Sequence, residues 1–215
     1  MKKIALITII SLFLMTSCKR NNLKYIKVSD NPFIEYLKID LDLYIYISDF
    51  KIKNKQVKDL NFKALEFARK GNLIKAKENL LEALLISKNE PVLYNNLANI
   101  EYEQYEFEKA IEHFEKTLIL SDSLYISAGI NLGKTYSLIG EKKKSQLIFD
   151  EILKRTDNNF FRGITYFEIT RKHLDYGEIK EAKISISKAK KYLLEYSDFN
   201  QDLIDLNNRV TNYYE

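Results

Sequence analysis

Apolar residues recur every three or four positions along most of this chain, which is the spacing of one face of an α-helix. In the middle of the chain, Leu97 and Ala98 continue a face that starts at Tyr94, and Phe114 lies four residues after Ala110. The pattern therefore predicts two short amphipathic helices joined by a tight turn.

The same arrangement recurs before and after this pair of helices. The positions of Tyr105, Ala110, Phe114 and Thr117 correspond to Gly71, Ala76, Leu80 and Ala83, to Gly140, Ser145, Phe149 and Ile152, and to Gly177, Ala182, Ile186 and Ala189. Self-similarity at about 34 residues is typical of helical repeat arrays. We predict about four repeats over residues 57–196, at approximately 57–90, 91–125, 126–159 and 163–196.

Three segments match a known repeat pattern. YNNLA at 94–98, NLGKTY at 131–136 and YFEIT at 166–170 resemble the opening of the tetratricopeptide repeat (TPR). That pattern is W-x2-L-G-x2-Y, followed by a glycine and then A-x3-F-x2-A. The resemblance implies an all-α fold, a right-handed solenoid of helical hairpins.

Small and unusual residues mark particular positions in this pattern. Ala98 and Gly133 would let the two helices of a hairpin approach closely. Lys63 and Glu101 depart from the pattern, since they stand where apolar or aromatic residues are usual. Tyr105 takes the position of the turn glycine, which usually allows a left-handed backbone.

The sequence pattern of residues 197–215 predicts one further helix. Asp198 to Asn200 can cap its start, and its apolar stripe consists of Leu203, Leu206, Val210 and Tyr213, with Ile204 beside it. The last repeat of an array has an exposed apolar side that needs a cover. We therefore predict a C-terminal capping helix, with docking onto a partner as the alternative role.

The segment before the repeats has a different pattern. Its apolar residues fall at every second position: Ile39, Leu41, Leu43, Ile45 and Ile47. This alternation is typical of a β-strand, but no second strand is evident. Asn31-Pro32 is also a suitable helix start. We favour a helix over residues 32–50 that packs on the first repeat, with a short hairpin as the alternative.

Residues 1–17 have the features of a bacterial lipoprotein signal peptide. Two lysines precede a mostly apolar run from Ile4 to Met15, which is too short to span a bilayer. The run leads into LMTSC, which resembles a lipobox and implies that Cys18 is acylated after cleavage. Residues 18–56 would then combine the lipidated cysteine, a tether and the segment that packs on the array. The alternative is an ordinary secretory signal with a chance cysteine.

Composition narrows the range of functions. Two prolines and six glycines in 215 residues leave little material for β-turns, and the single cysteine excludes an internal disulfide. The formal net charge is +4. Acidic and basic residues are interleaved rather than grouped into a basic block, so we predict no nucleic-acid partner.

No catalytic or metal-binding arrangement is apparent in the sequence. Neither His113 nor His173 has a histidine or cysteine at metal-ligand spacing. We expect a packed, hydrogen-bonded His173 and a solvated His113. The scattered glycines form no phosphate-binding loop. We therefore predict that the protein is not an enzyme and that it uses no cofactor and no metal.

The resemblance also implies a binding surface, because the first helices of TPR hairpins line a groove. In that register the candidate residues are Asn61, Asn95, Asn96, Asn99, Tyr102, Asn131, Lys134, Phe167 and Arg171. An asparagine amide both donates and accepts, so these side chains can bind a peptide backbone whatever its sequence. We expect them to be exposed. The alternative is that the asparagines are ordinary residues of the repeat pattern.

Together these features predict a lipid-anchored scaffold of the bacterial cell envelope that binds proteins or peptides through its groove. We expect it on the outer membrane or cell surface rather than the inner membrane. The alternative is a surface-exposed lipoprotein that contacts host or environmental molecules.

Overall fold

The computed structural model describes residues 24–26, 33–39, 42–48, 52–123 and 125–213, and among the strands it describes the side chains of Ile45 and Tyr46. The predicted signal peptide and the predicted acylation of Cys18 lie outside the described residues.

Helices fill most of the described chain. They are α1 (Lys55–Arg69), α2 (Leu73–Ile86), α3 (Pro91–Glu103), α4 (Phe107–Leu120), α5 (Ile126–Leu138), α6 (Lys142–Arg155), α7 (Asn159–Asp175), α8 (Ile179–Leu193) and α9 (Asn200–Thr211). From α1 to α8, consecutive helices pack in pairs, and each pair packs against the next. The helices from α1 to α9 confirm the predicted solenoid of helical hairpins with a C-terminal capping helix.

Local sequence sets where several of these helices begin. The side chains of Asn54, Asn72 and Asn158 accept hydrogen bonds from the backbone N–H three residues later, and so cap α1, α2 and α7. Pro91 stands at the start of α3, where its missing N–H costs no helical hydrogen bond.

The turn inside each hairpin has a left-handed residue at the same position of the repeat. The φ angles are 77° at Gly71, 86° at Gly140 and 69° at Gly177. Tyr105 occupies this position in the second hairpin with φ of 62°. This conformation is easy for glycine and strained for other residues. The second hairpin therefore keeps the same turn as the other three hairpins at the expense of backbone strain.

Glycines also allow helices to approach closely. A Cβ placed on Gly133 would lie 2.6 Å from Cε1 of Phe149, so the close approach predicted there is confirmed. A Cβ on Gly163 would likewise lie 2.4 Å from Cγ of Leu193. In both hairpins the missing side chain makes room for a buried apolar residue of the partner helix.

The segment before the helices forms an antiparallel sheet in the order β1-β2-β3. Its strands are β1 (Lys24–Ile26), β2 (Phe33–Ile39) and β3 (Asp42–Ser48). In β2 and β3, Tyr36 pairs with Ile45 and Ile39 pairs with Asp42. The helix that we favoured over residues 32–50 is wrong, and the hairpin alternative is what forms. Residues 33–39 supply the second strand that the sequence did not reveal.

At the other end of the array, α9 packs on α8. Leu203, Leu206 and Val210 of α9 are buried, whereas Tyr213 lies beyond the helix and is 45% exposed. The apolar stripe of the cap is therefore shorter than predicted. No helix among the described residues has both the length and the apolar composition that a bilayer crossing requires.

Candidate binding groove

The groove is the face formed by α1, α3, α5 and α7, the first helices of the four hairpins, on which the candidate residues lie. Strand β3 rests on this face, in contact with α1, α3 and α5. The groove therefore already contains a length of extended chain.

Three asparagine amides converge on one backbone oxygen of β3. The Nδ2 atoms of Asn95, Asn99 and Asn131 lie 3.2, 2.7 and 3.1 Å from the carbonyl oxygen of Ile45. Asn95 and Asn99 are one helical turn apart on α3, so their side chains share a face, and Asn131 reaches the same oxygen from α5. These bonds recognise the backbone of the bound strand rather than its side chains.

Further amide bonds join the asparagines to one another. Asn131 donates to Oδ1 of Asn99 at 3.1 Å, and Asn95 donates to Oδ1 of Asn96 at 3.0 Å. Asn96 in turn donates to Oδ1 of Asn61 on α1 at 2.8 Å. The network thus links the first helices of three consecutive hairpins. It brings together the five asparagines that the sequence singled out.

The expectation that these side chains are exposed is wrong. The five asparagines are between 0 and 4% exposed. Tyr102, Lys134 and Phe167 are also buried, and Arg171 is half-buried. Buried amides need hydrogen-bond partners. The amide network and the Ile45 carbonyl provide acceptors for the Nδ2 atoms of Asn95, Asn96, Asn99 and Asn131, whereas Oδ1 of Asn95 is buried without a hydrogen-bond partner among the described residues.

The two residues of β3 at this point belong to different parts of the hydrophobic core. The side chain of Ile45 joins the C-terminal core, formed by buried residues between Ile126 and Val210. The side chain of Tyr46 joins the N-terminal core, formed by buried residues between Ile52 and Tyr136. Successive side chains of a strand point in opposite directions, so one dipeptide enters both cores.

Charged residues occupy the groove next to the asparagines. The ammonium nitrogen of Lys134 lies 4.3 Å from the centre of the Tyr102 ring, and Arg171 pairs with Glu168 at 3.3 Å. Lys172 donates to Gln146, and burial lowers the pKa of its ammonium group. A cavity of about 20 Å³ lies among these residues, which is room for about one water molecule. The charged side chains at this end of the groove therefore already have partners within the chain.

No protein-family model matches the chain. It is 26% identical over 180 residues to a TPR repeat-containing protein of Methanocaldococcus jannaschii, covering 83% of this chain and 32% of that protein. The chain thus spans about a third of the length of this relative.

Two solved structures resemble this fold. A chain of the APC/C hetero-tetramer Cut9–Hcn1 matches with a TM-score of 0.62 at 18% identity, covering 72% of this chain and 30% of that chain. A thermophilic TPR protein of Thermus thermophilus matches with a TM-score of 0.59 at 17% identity, covering 73% of this chain and 84% of that chain. The fold is that of a TPR solenoid.

The histidines of this TPR solenoid both have carboxylate partners. Nδ1 of His173 lies 2.7 Å from Glu178, which confirms the packed, hydrogen-bonded residue that we expected. Nδ1 of His113 lies 2.6 Å from Oε2 of Glu101, so His113 is not the solvated residue that we expected. Glu101 is buried in a position that is usually aromatic, and a buried carboxylate needs polar partners. His113 and Lys77 provide them. The described residues contain no cluster of three or more side chains suited to hold a metal ion.

The carbonyl of Ile45 is the part of the site that the sequence did not indicate. Asparagines at matching positions of successive repeats pointed to a backbone ligand, and the alternation over residues 39–47 pointed to a strand. Each signal was present in the sequence, but no local pattern joined the two.

Proposed function

We propose that this TPR solenoid is a lipid-anchored scaffold of the bacterial cell envelope that binds other proteins or peptides through its groove. The observation that carries the proposal is the convergence of three asparagine amides on the backbone oxygen of Ile45. A surface built in this way suits an extended polypeptide. The lipid anchor rests on the LMTSC motif that ends in Cys18.

The position of the motif fits a tethered scaffold. Cys18 precedes β1, which starts at Lys24, so a lipid on this residue would hold the sheet and the repeats close to a bilayer. Stable anchoring to a membrane requires more than one acyl chain. The lipobox resemblance implies more than one on the processed Cys18, which would hold the protein at the membrane surface.

Capture of partners from detergent-solubilised envelopes tests the proposal. The wild type is compared with a groove variant, Asn99→Ala with Asn131→Ala, and with an outer-surface variant, Glu112→Ala with Lys116→Ala, whose side chains are exposed. We expect the groove variant to lose partners that the wild type and the outer-surface variant retain. Loss with the outer-surface variant alone would place binding outside the groove and overturn the proposal.

A further inference from the structure

The groove residues available to a partner are already engaged. The amides of Asn95, Asn99 and Asn131 all bond to Ile45, and Tyr46 is fully buried beside them. A partner that uses these amides must therefore take the place of β3.

We propose that the groove is a strand-exchange site, in which β3 is a built-in occupant that an extended segment of a partner replaces. The replacing segment carries an aliphatic residue followed directly by an aromatic one, in the positions of Ile45 and Tyr46. This inference rests on the proposed function and specifies its ligand.

The order of the two residues follows from where their side chains lie. Ile45 enters the C-terminal core and Tyr46 enters the N-terminal core, and both are fully buried. The carbonyl between these two side chains is the one that receives the three amides. A segment with the two residues in reversed order would place the aromatic ring in the aliphatic site and the aliphatic side chain in the aromatic site.

The attachment of the sheet to the array also suits exchange. The main contacts of β1 and β2 are within the sheet, whereas β3 contacts α1, α3 and α5. The sheet is thus held to the solenoid mainly through one strand. The helical hairpins pack on one another independently of it, so the sheet can open as a unit while the hairpins stay folded.

A capped, fluorescently labelled peptide with the sequence of residues 42–48, DLYIYIS, serves as the probe. It is titrated against the full chain and against the full chain with Tyr46→Ala, which loosens the built-in strand. We expect the peptide to bind the Tyr46→Ala protein at least tenfold more tightly than the wild type, measured by fluorescence anisotropy. Adding Asn99→Ala to that variant should weaken binding at least tenfold.

The matched control peptide is DLYYIIS, which has the same composition with the central pair reversed. We expect it to bind the Tyr46→Ala protein at least tenfold more weakly than DLYIYIS. Equal binding of the two peptides would overturn the proposed specificity. Failure of DLYIYIS to bind the loosened protein, shown to be folded by circular dichroism, would overturn strand exchange itself.

Hydrogen exchange on the wild type provides a test that does not depend on a variant folding. Amides of β2 and β3 should exchange through an opening that leaves α3 and α5 protected. Simultaneous exchange of strands and helices would mean that the sheet is a fixed part of the core, and it would overturn the proposal.

Competition between the peptide and captured partners distinguishes failure of strand exchange from failure of the scaffold function. If captured partners remain bound in the presence of excess DLYIYIS, the scaffold stands and strand exchange fails. If the peptide exchanges as expected but envelopes yield no partner, strand exchange stands and the scaffold function fails.

Discussion

The side-chain amide of Asn99 donates a 2.7 Å hydrogen bond to the main-chain oxygen of Ile45, 54 positions earlier in the chain. This bond ties the N-terminal sheet to the middle of the solenoid. Both partners are buried. Without the Asn99 amide, the buried carbonyl of Ile45 would have fewer hydrogen-bond donors. Removing one partner of a buried hydrogen bond costs about 1–3 kcal/mol.

We therefore expect Asn99→Ala to lower the free energy of unfolding by about 1–3 kcal/mol, measured by urea denaturation. Asn99→Asp should cost more than Asn99→Ala, because a carboxylate cannot donate to the Ile45 oxygen and would be buried. Asn208→Ala is the control, since Asn208 is an exposed asparagine of α9. A change as small as that of the control would contradict the importance of the Asn99 bond.

Tyr105→Gly should stabilise the protein. Tyr105 has φ of 62°, and a left-handed conformation costs a residue other than glycine about 1–2 kcal/mol. Loss of the ring contact with Phe107 and the greater freedom of glycine in the unfolded chain reduce the gain. We expect the free energy of unfolding to rise by up to about 1 kcal/mol. Thermal or urea denaturation measures this change.

The control replaces the glycine at the equivalent turn position of the third hairpin, Gly140, by alanine. Gly140 has φ of 86°, and no atom of the surrounding structure lies within 4 Å of a Cβ placed on it. Gly140→Ala therefore tests the backbone conformation alone and should destabilise the protein. If Tyr105→Gly also destabilised it, the ring would contribute more than the turn costs.

Gly133→Leu should lower the melting temperature. Its Cβ would lie 2.6 Å from Cε1 of Phe149, and overpacking of this kind costs about 1–3 kcal/mol. That cost outweighs the gain of less than about 1 kcal/mol expected from the better helix propensity of leucine. Adding Phe149→Ala should make the effect of Gly133→Leu smaller, because the clashing ring is removed. A higher melting temperature for the single variant would contradict the packing of α5 on α6.

Glu106 should contribute to stability in a pH-dependent manner. Hydrogen bonds from Lys77 and then Lys109 lower the pKa of Glu106 to about 2. Because the pKa is lower in the folded state, the contribution is present above the unfolded carboxyl pKa of about 4.3. It is lost as the pH falls from there to about 2.

We expect Glu106→Gln to melt below the wild type at neutral pH, and the gap to close as the pH falls through that window. Added salt should narrow the gap, because both lysines are at least partly exposed. Glu108→Gln serves as the control, since Glu108 is an exposed carboxylate of the same helix turn. A gap that did not change with pH would show that the ion pairs do not cause it.

Cys18→Ala should abolish acylation. We expect the wild type to incorporate an alkynyl fatty acid and to sediment with membranes, and the variant to lose the label and appear in the supernatant. Cys18→Ser is a more conservative comparison and should behave like the alanine variant. A wild type without label that still sediments with membranes would rule out the lipid anchor.

The helical part of the fold could be predicted because its signals are local. Ala110 and Phe114 lie one turn apart on the same helix, and the left-handed position of each turn falls at a fixed place in the repeat. The asparagines were likewise found by comparing equivalent positions. Even the unusual Tyr105 was visible as a departure from the repeat pattern.

The position of the sheet could not be predicted in this way. The Ile45 carbonyl bonds to side chains 50, 54 and 86 positions away, and tertiary packing brings these groups together. A strand bonded on one edge to β2 and on the other to asparagine amides matches no short pattern. For that reason the sequence alone gives this strand no bonding partner and predicts exposed side chains in the groove.

The side chains of Ile45 and Tyr46 enter two separate cores and so link the unfolding of the two halves of the array. Solenoids usually behave as chains of nearest neighbours, so that repeats at the ends can melt before those in the middle. Here one dipeptide is shared by the core of the early repeats and the core of the late ones. Melting of either half withdraws support from the other through this shared dipeptide. While β3 is in place, the array should therefore unfold with more cooperativity than its linear architecture alone would allow, and opening of the sheet should remove this coupling.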